Sequence, residues 1–236
     1  MRIIPLFDKK AAIDGLRTGW GVSFLIGENI VYDTGENGAW LLANMKNMGI
    51  QAGNIKKVVI SHDHWDHKGG LRALLDTCPR AVVYGCPDFG LKFKASVHLR
   101  GHRLVETACF LEISDGVFTT GQVAGYYKGK FMPEQALVIK THGGLNMVTG
   151  CAHPGIIRMV EHANSYFKRD VSLVAGGFHL YGRHDKTVRE IAEGLKDLGV
   201  KKVAPCHCTG SGAERILEEE FGDGFISTSA GNPVDL

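Results

Sequence analysis

Short apolar runs alternate along this chain with longer stretches in which apolar residues recur every three or four positions. The first pattern predicts buried β-strands, and the second predicts amphipathic helices. Predicted strands cover residues 22–26, 30–33, 57–60, 81–84, 136–140, 145–149, 171–175 and 202–204. Predicted helices cover residues 40–48, 70–76, 156–167, 187–198 and 213–220. This alternation of strands and helices indicates an α/β fold with layered sheets and helices.

The pattern weakens between residues 86 and 130. The segment 88–103 mixes aromatic residues with four Lys and Arg side chains, and the segment 121–129 is rich in glycine and tyrosine. Such stretches could cover a site and supply cations to an anionic substrate. For any single residue in them, an ordinary surface loop is the simpler interpretation.

Composition indicates a globular protein. The 236 residues are enough for one large domain, or for two half-domains that share a core. Hydrophobic residues make up 44% of the chain and charged residues 22%, and both fractions are ordinary for a folded protein. The formal net charge of +2 gives no strong attraction for polyanions, so we expect no nucleic-acid partner.

Nothing in the sequence indicates a membrane or an oxidising compartment. No apolar run approaches the length of a membrane span, and the first residues lack the layout of a signal peptide. The cysteines show no spacing typical of a disulfide framework. They are Cys78, Cys86, Cys109, Cys151, Cys206 and Cys208. Reduced thiols are the simplest interpretation, so we expect a cytoplasmic protein without a membrane partner.

The densest candidate chemistry is the sequence SHDHWDH at residues 61–67, directly after a predicted strand. Because extended residues alternate in direction, His62 and His64 should lie on one side of the chain. Asp66 and His67 should point to an adjacent position where the chain turns. Three imidazoles and a carboxylate suit zinc, manganese or iron. A solvated polar turn is the ordinary alternative, but this spacing behind a buried strand predicts a metal site.

Polar residues also follow other predicted strands. Asp33 either caps the turn after its strand or orients a metal-binding histidine, and the sequence leaves both interpretations open. His153, His179 and His207 each lie in a loop between a strand and a helix. Because ligands of α/β sheets gather beyond the carboxyl ends of strands, we expect these histidines to converge on the first cluster.

Four motifs resemble those of a known family. They are VYDTG at 31–35, SHDHWDH at 61–67, TGCAHPG at 149–155 and PCHCTG at 205–210. Together they resemble the metallo-β-lactamase superfamily over residues 22–228. The resemblance implies an αββα sandwich, formed by residues 1–236 as a single domain of two similar halves. It also implies a binuclear metal site at one edge.

The resemblance further implies which residues bind the metals. The implied ligands of one metal are His62, His64 and His153. The implied ligands of the other metal are Asp66, His67 and His207. Asp33 would support these ligands from behind. We expect two divalent ions, with zinc as the first choice and manganese or iron as alternatives.

A narrower branch of the superfamily is also similar. TGCAHPG and PCHCTG, with GGFHL at 176–180, resemble metal-dependent hydrolases of the 7,8-dihydropterin-6-methyl-4-(β-D-ribofuranosyl)-aminobenzene 5′-phosphate synthase-like type, a name tied to methanopterin biosynthesis. This implies an anionic, phosphorylated small-molecule substrate, and either hydrolysis or group transfer in a pterin pathway. The sequence does not decide whether the protein forms an oligomer.

One position departs from the superfamily pattern. Many binuclear members place a metal-bridging aspartate where this chain has Gly177-Phe178-His179. An imidazole cannot bridge two cations as a carboxylate does. His179 is therefore either a terminal ligand or a group that faces the substrate and transfers a proton, and we favour the second role.

Three cysteines flank the implied ligands. They are Cys151, Cys206 and Cys208. In an extended loop, Cys206 and Cys208 would face away from the direction of His207. We therefore expect them to be small buried residues that pack the wall of the site.

The implied ligands predict a mechanism. Two divalent cations lower the pKa of a shared water, which gives hydroxide near neutral pH, and they polarise a phosphoryl or acyl oxygen. Asp66 would help to orient that hydroxide, so Asp66 and His179 are the catalytic candidates. In a synthase, the same cations would neutralise a leaving pyrophosphate.

Three alternatives fit the sequence less well. A di-iron redox enzyme of this fold would carry a glutamate in place of His64 and an attached flavin domain. A nucleic-acid-processing member would need an extra basic arm or an inserted domain. A non-catalytic metal-binding module would have lost ligands, whereas the SHDHWDH set is intact.

Overall fold

A computed structural model describes all residues, Met1–Leu236, and contains fifteen β-strands and seven α-helices. In chain order the strands are β1 (Arg2–Phe7), β2 (Ser23–Ile26), β3 (Ile30–Tyr32), β4 (Lys57–Val59), β5 (Val82–Gly85), β6 (Leu104–Glu106), β7 (Leu111–Ser114), β8 (Val117–Thr119), β9 (Tyr126–Tyr127), β10 (Lys130–Phe131), β11 (Leu137–Thr141), β12 (Gly144–Thr149), β13 (Val171–Gly176), β14 (Lys202–Pro205) and β15 (Val234–Asp235). The helices are α1 (Gly38–Asn47), α2 (Trp65–Lys68), α3 (Leu71–Thr77), α4 (Leu91–His98), α5 (Ile156–Phe167), α6 (Asp185–Asp197) and α7 (Ser211–Phe221).

The chain divides into two compact units, each with its own large sheet and hydrophobic core. The first unit comprises Met1–Ala108 with Thr228–Asp235, and the second comprises Cys109–Ser227 with Leu236.

The first unit contains a seven-stranded sheet in the order β15-β1-β2-β3-β4-β5-β6. Strands β3 to β6 are parallel, so their carboxyl ends lie at one edge. Buried side chains of α1, α3 and α4, such as Leu41, Leu74 and Phe93, share one core with strand residues such as Val58. Because Tyr32 pairs with Val59, the residues that follow β3 and β4 are neighbours.

The second unit contains a six-stranded sheet in the order β14-β13-β12-β11-β8-β7. Strands β12, β13 and β14 are parallel, and the loops after them carry His153, His179 and His207. Helices α5, α6 and α7 contribute their apolar faces to one core with this sheet. A separate two-stranded hairpin, β9–β10, connects β8 to β11.

The elements predicted from periodicity are present, and no end differs from its prediction by more than two residues; α5 has the predicted bounds. The interpretation of 88–103 and 121–129 as loops is wrong in part, because the first segment contains α4 and the second contains β9. Helix α4 buries only Phe93 and Val97, which is too few apolar positions to give a clear period. Strand β9 is only two residues long.

The longest helix of the structure, α6, has 13 residues, whereas a membrane-spanning helix needs about 20 apolar residues. None of the helices is therefore both long and apolar enough to cross a bilayer.

Candidate metal centre

The loop after β4 places the imidazoles of His62 and His64 on one side of the chain. His62 Nε2 lies 3.0 Å from His64 Nδ1. Asp66 and His67 follow on the short helix α2, where both are buried, and Asp66 Oδ2 lies 3.6 Å from His67 Nε2. The four side chains predicted from the motif in the first unit are thus close together, and each presents an oxygen or nitrogen that could bind a cation.

Asp33 connects this loop to the end of β3. Its carboxylate is fully buried and accepts three hydrogen bonds, all 2.7 Å long. Ser61 donates two of them, from its backbone N–H and its hydroxyl, and His67 Nδ1 donates the third. A proton on His67 Nδ1 leaves Nε2 with a lone pair for a metal. The contacts of Asp33 are therefore those of a group that orients a histidine.

Ser61 connects Asp33 to His62 as well, and this connection fixes the position of the proton on His62. The Ser61 hydroxyl has one proton, which it donates to Asp33, so it must accept the 2.9 Å hydrogen bond from His62 Nδ1. His62 then carries its proton on Nδ1 and a lone pair on Nε2, the nitrogen that faces His64. The network fixes the tautomer of both buried histidines, and it leaves Nε2 of each able to bind a metal.

In the second unit, a buried glutamate that the sequence analysis missed positions the loop after β12. Glu134 is fully buried, and its Oε1 accepts from the backbone N–H of Cys151 at 2.8 Å and of Ala152 at 2.9 Å. Its Oε2 accepts from the N–H of His153 at 2.8 Å. Three backbone donors on one carboxylate fix the point from which the His153 side chain projects.

Four non-glycine residues in the loops of these two clusters have a left-handed backbone. They are Asp33 (φ 57°), Ala152 (φ 57°), His179 (φ 54°) and His207 (φ 50°). This conformation is uncommon for residues with a Cβ and persists where the surroundings enforce it. Each lies in a loop that follows a strand of its own unit, and such backbone conformations are typical of functional sites.

The second unit brings His153 and His179 together. Their ring centroids lie 4.6 Å apart, and both rings contact Tyr127 of β9, at 5.2 and 5.6 Å. Potential ligand atoms of Cys151, His153 and His179 lie within 4.8 Å of one another. His179 Nδ1 is buried and makes no hydrogen bond, although a buried imidazole nitrogen normally has a partner. This unsatisfied nitrogen fits a group that would bind a cation or a substrate.

His207 lies beside two thiols. Potential ligand atoms of Cys151, His207 and Cys208 are within 4.8 Å of one another. The prediction that Cys208 faces away from His207 is therefore wrong, because His207–Thr209 forms a turn of 3-10 helix rather than an extended loop. The prediction that Cys151, Cys206 and Cys208 are buried is confirmed.

Cys208 has a perturbed thiol. Burial alone raises the pKa of Cys208, but hydrogen bonds with Cys151 and His179 and the nearby imidazoles of His207 and His179 outweigh that effect. The net pKa of Cys208 lies well below its ordinary value. Burial without such partners instead raises the pKa of Cys78 to about 11.

Comparison with known proteins identifies the family. A model of the metallo-β-lactamase superfamily matches residues 20–112. The 7,8-dihydropterin-6-methyl-4-(β-D-ribofuranosyl)-aminobenzene-5′-phosphate synthase of Methanocaldococcus jannaschii is 30% identical to this chain, over 91% of this chain and 89% of the relative. This chain belongs to the metallo-β-lactamase superfamily.

Solved structures agree with this membership. The crystal structure of Tm1679, described as a metal-dependent hydrolase of the β-lactamase superfamily, has a TM-score of 0.85 and 28% identity, and covers 100% of this chain and 99% of its own. The metallo-β-lactamase fold protein YhfI from Bacillus subtilis shares the fold at a TM-score of 0.69 and 14% identity, covering 99% of this chain and 98% of its own. The predicted metallo-β-lactamase type of fold is confirmed.

Membership in this superfamily implies divalent metal binding, and the side chains of this chain fit it. Imidazoles and carboxylates are the ligands that zinc, manganese and iron accept in proteins. The buried carboxylate of Asp33 holds the tautomer of His67, as a supporting group behind a metal ligand does.

Proposed function

We propose that this superfamily member is a metal-dependent enzyme that acts on a phosphorylated small molecule. The observation that carries the metal-dependent part of the proposal is the buried network from Asp33 through Ser61 to His62 and His67. This network fixes one tautomer in two histidines, so that Nε2 of both could bind a metal, and it requires a buried carboxylate. A surface histidine cluster without a function would need no such support. The phosphorylated substrate is inferred from the relative whose name contains a phosphate.

The proposed ligands follow the family resemblance. One divalent ion would be bound by His62, His64 and His153. The other would be bound by Asp66, His67 and His207. Zinc is the first choice because imidazole and carboxylate ligands suit it, with manganese or iron as alternatives. When bound, the ions would lower the pKa of water and withdraw charge from a phosphoryl oxygen.

The side chains of this chain would supply the remaining chemistry. Asp66 would accept a hydrogen bond from the attacking water and so orient it. His179, with its buried Nδ1 and its ring beside His153, would face the substrate and hold or deliver a proton at the leaving-group oxygen. Asp33 and Glu134 would act only through the residues they position.

Group transfer in a pterin pathway is the second candidate. It is favoured by the 30% identity to a synthase whose name contains a dihydropterin, an aminobenzene ring and a phosphate. The same electrostatics serve hydrolysis and transfer, because both reactions develop charge on phosphoryl oxygens. The proposed substrate is in either case an anionic small molecule. A cytoplasmic location and the absence of a nucleic-acid partner remain part of the proposal.

The experiment is elemental analysis of the purified full chain, followed by turnover of bis(p-nitrophenyl) phosphate after loading with zinc or manganese. We expect up to two metal ions per chain and metal-dependent release of nitrophenolate. A protein that binds no divalent metal at any supplement would overturn the proposal. Oxygen consumption with NADH, in place of ester cleavage, would instead support the di-iron alternative.

A further inference from the structure

The second unit contains a cavity of about 510 Å³ beside His153 and His179. Its wall is formed by the β9–β10 hairpin, by the start of α5, by the loop that follows β13 and by the first turn of α6. The two imidazoles therefore form one side of a cavity large enough for a small molecule.

The charges around this cavity have one sign. Lys128 and Arg183 line it, and no aspartate or glutamate does. Neither cation forms an ion pair with a carboxylate of the protein. Asp185, in the first turn of α6, lies 3.7 Å from Arg215 and is not part of the wall. Two cations without counter-charges beside two imidazoles favour an anionic ligand.

Two helices begin at the same cavity. Gly155 and Ile156 at the start of α5 contribute to the wall, as does Thr187 in the first turn of α6. The residues that precede these helices, Gly155 and His184, provide no side-chain cap, so the first backbone N–H groups have no side-chain acceptor. Helix N-termini favour negative charge, and this adds to the effect of the two cations.

Tyr127 provides a fixed aromatic wall. It precedes a two-residue turn in which Lys128 (φ 48°) and Gly129 (φ 74°) are both left-handed, as a tight hairpin requires. At the base of the hairpin, a Cβ on Gly125 would lie 2.7 Å from the Met132 carbonyl oxygen and 3.1 Å from His153. The hairpin is thus packed directly on the His153 loop. The Lys128 ammonium also lies 5.1 Å from the centre of the Tyr127 ring.

We propose that this cavity is the substrate subsite and that it recognises a phosphorylated aromatic compound. Arg183 and Lys128 bind the phosphate, and the aromatic ring of the ligand packs on Tyr127. This subsite rests on the proposed function, since His153 and His179 connect the cavity to the reactive centre. In this proposal, substrate specificity is determined by the β9–β10 hairpin and by the loop before α6.

The test is calorimetric titration of the metal-loaded full chain with phenyl phosphate, and with phenol as the uncharged probe. Arg183→Ala should weaken phenyl phosphate binding about 10-fold or more, and Lys128→Ala about 3-fold. Both side chains are exposed, but an arginine can donate two parallel hydrogen bonds to a phosphate, whereas a lysine acts as a point charge. Tyr127→Leu should weaken the binding of both probes, whereas Tyr127→Phe should leave it unchanged. Matched controls are Lys130→Ala, in the same hairpin, and Arg169→Ala, an exposed arginine of the same unit; neither residue lines the cavity.

The outcomes separate the subsite from the proposed function. If the native chain binds metal and cleaves bis(p-nitrophenyl) phosphate, but Arg183→Ala and Lys128→Ala bind phenyl phosphate as the controls do, the subsite is wrong and the function stands. If the chain neither binds metal nor shows turnover, yet Arg183→Ala still weakens phenyl phosphate binding to the metal-free chain, the function is wrong and the cavity is an anion-binding site only. Equal binding of phenyl phosphate to Tyr127→Leu and Tyr127→Phe would overturn the aromatic part alone.

Discussion

Replacing Glu134 with glutamine tests whether this buried carboxylate stabilises the backbone of the loop after β12. Glu134→Gln keeps the shape of the side chain and removes its charge and one acceptor oxygen. The remaining oxygen can still accept from two N–H groups, as Oε1 does now from Cys151 and Ala152. The new NH₂ group then faces the N–H of His153, which is a donor facing a donor.

The expected cost can be estimated from these three hydrogen bonds. A hydrogen bond to a charged group contributes about 1.5–3 kcal/mol and a neutral one about 1 kcal/mol. The charged hydrogen bond from the N–H of His153 is lost, and those from Cys151 and Ala152 become neutral. The free-energy cost of burying the carboxylate charge is removed at the same time. A net destabilisation of about 2–4 kcal/mol follows. In a chain of this size, that lowers the melting temperature by about 4–16 °C.

The assay is thermal unfolding of both proteins with saturating metal, together with metal content. The matched control is Glu112→Gln, the same chemical change at an exposed glutamate that accepts one N–H, from Gly116 at 2.9 Å. That control should change the free energy of unfolding by less than about 0.5 kcal/mol. We also expect Glu134→Gln to bind metal less tightly, because His153 loses its fixed position. A melting temperature within 1 °C of the control would refute the reasoning, whatever the metal content.

Two further predictions concern the metal and His179. Chelation should lower the melting temperature, because ions at 100 times their dissociation constant stabilise the native state by about 2.7 kcal/mol; an unchanged melting curve after verified metal removal would exclude this linkage. His179→Ala should keep most of the metal but lose about 10²–10⁴ in turnover of bis(p-nitrophenyl) phosphate, whereas His153→Ala should lose metal and activity together. If both variants lose metal equally, His179 is a ligand.

Much of the fold could be predicted because its elements bury long, regular apolar faces. Helix α5 buries Ile156, Met159, Val160 and Ala163, which recur at three- and four-residue intervals, and its predicted bounds agree with the structure. The parallel strands are short runs buried on both faces, such as Val58-Val59. Elements that bury little, such as α4 and the β9–β10 hairpin, left too weak a pattern for prediction.

The candidate site was predictable only where its residues lie close together in sequence. The motif at 61–67 places four candidate ligands within six residues, and local geometry then decides which way they point. The contact between Tyr127 and the rings of His153 and His179 depends on a hairpin without a sequence period. The error at Cys208 has the same origin, because periodicity does not distinguish one turn of 3-10 helix from an extended loop.

The two buried carboxylates show how strand register connects distant residues to the site. Asp33 meets Ser61 because β3 and β4 are parallel and Tyr32 pairs with Val59. Glu134 meets Cys151 because β11 and β12 pair Leu137 with Val148, and the same register continued by three residues sets Glu134 opposite Cys151.

This register could have been predicted from the sequence. Strands 136–140 and 145–149 were both predicted, with only four residues between them. Two strands so connected pair as a hairpin, so a carboxylate just before the first strand could have been assigned to the loop just after the second. The positions of the loops after β3 and β12 are thus a consequence of strand pairing. A slip of one residue between β11 and β12 would point Glu134 to the opposite face and remove the support of His153.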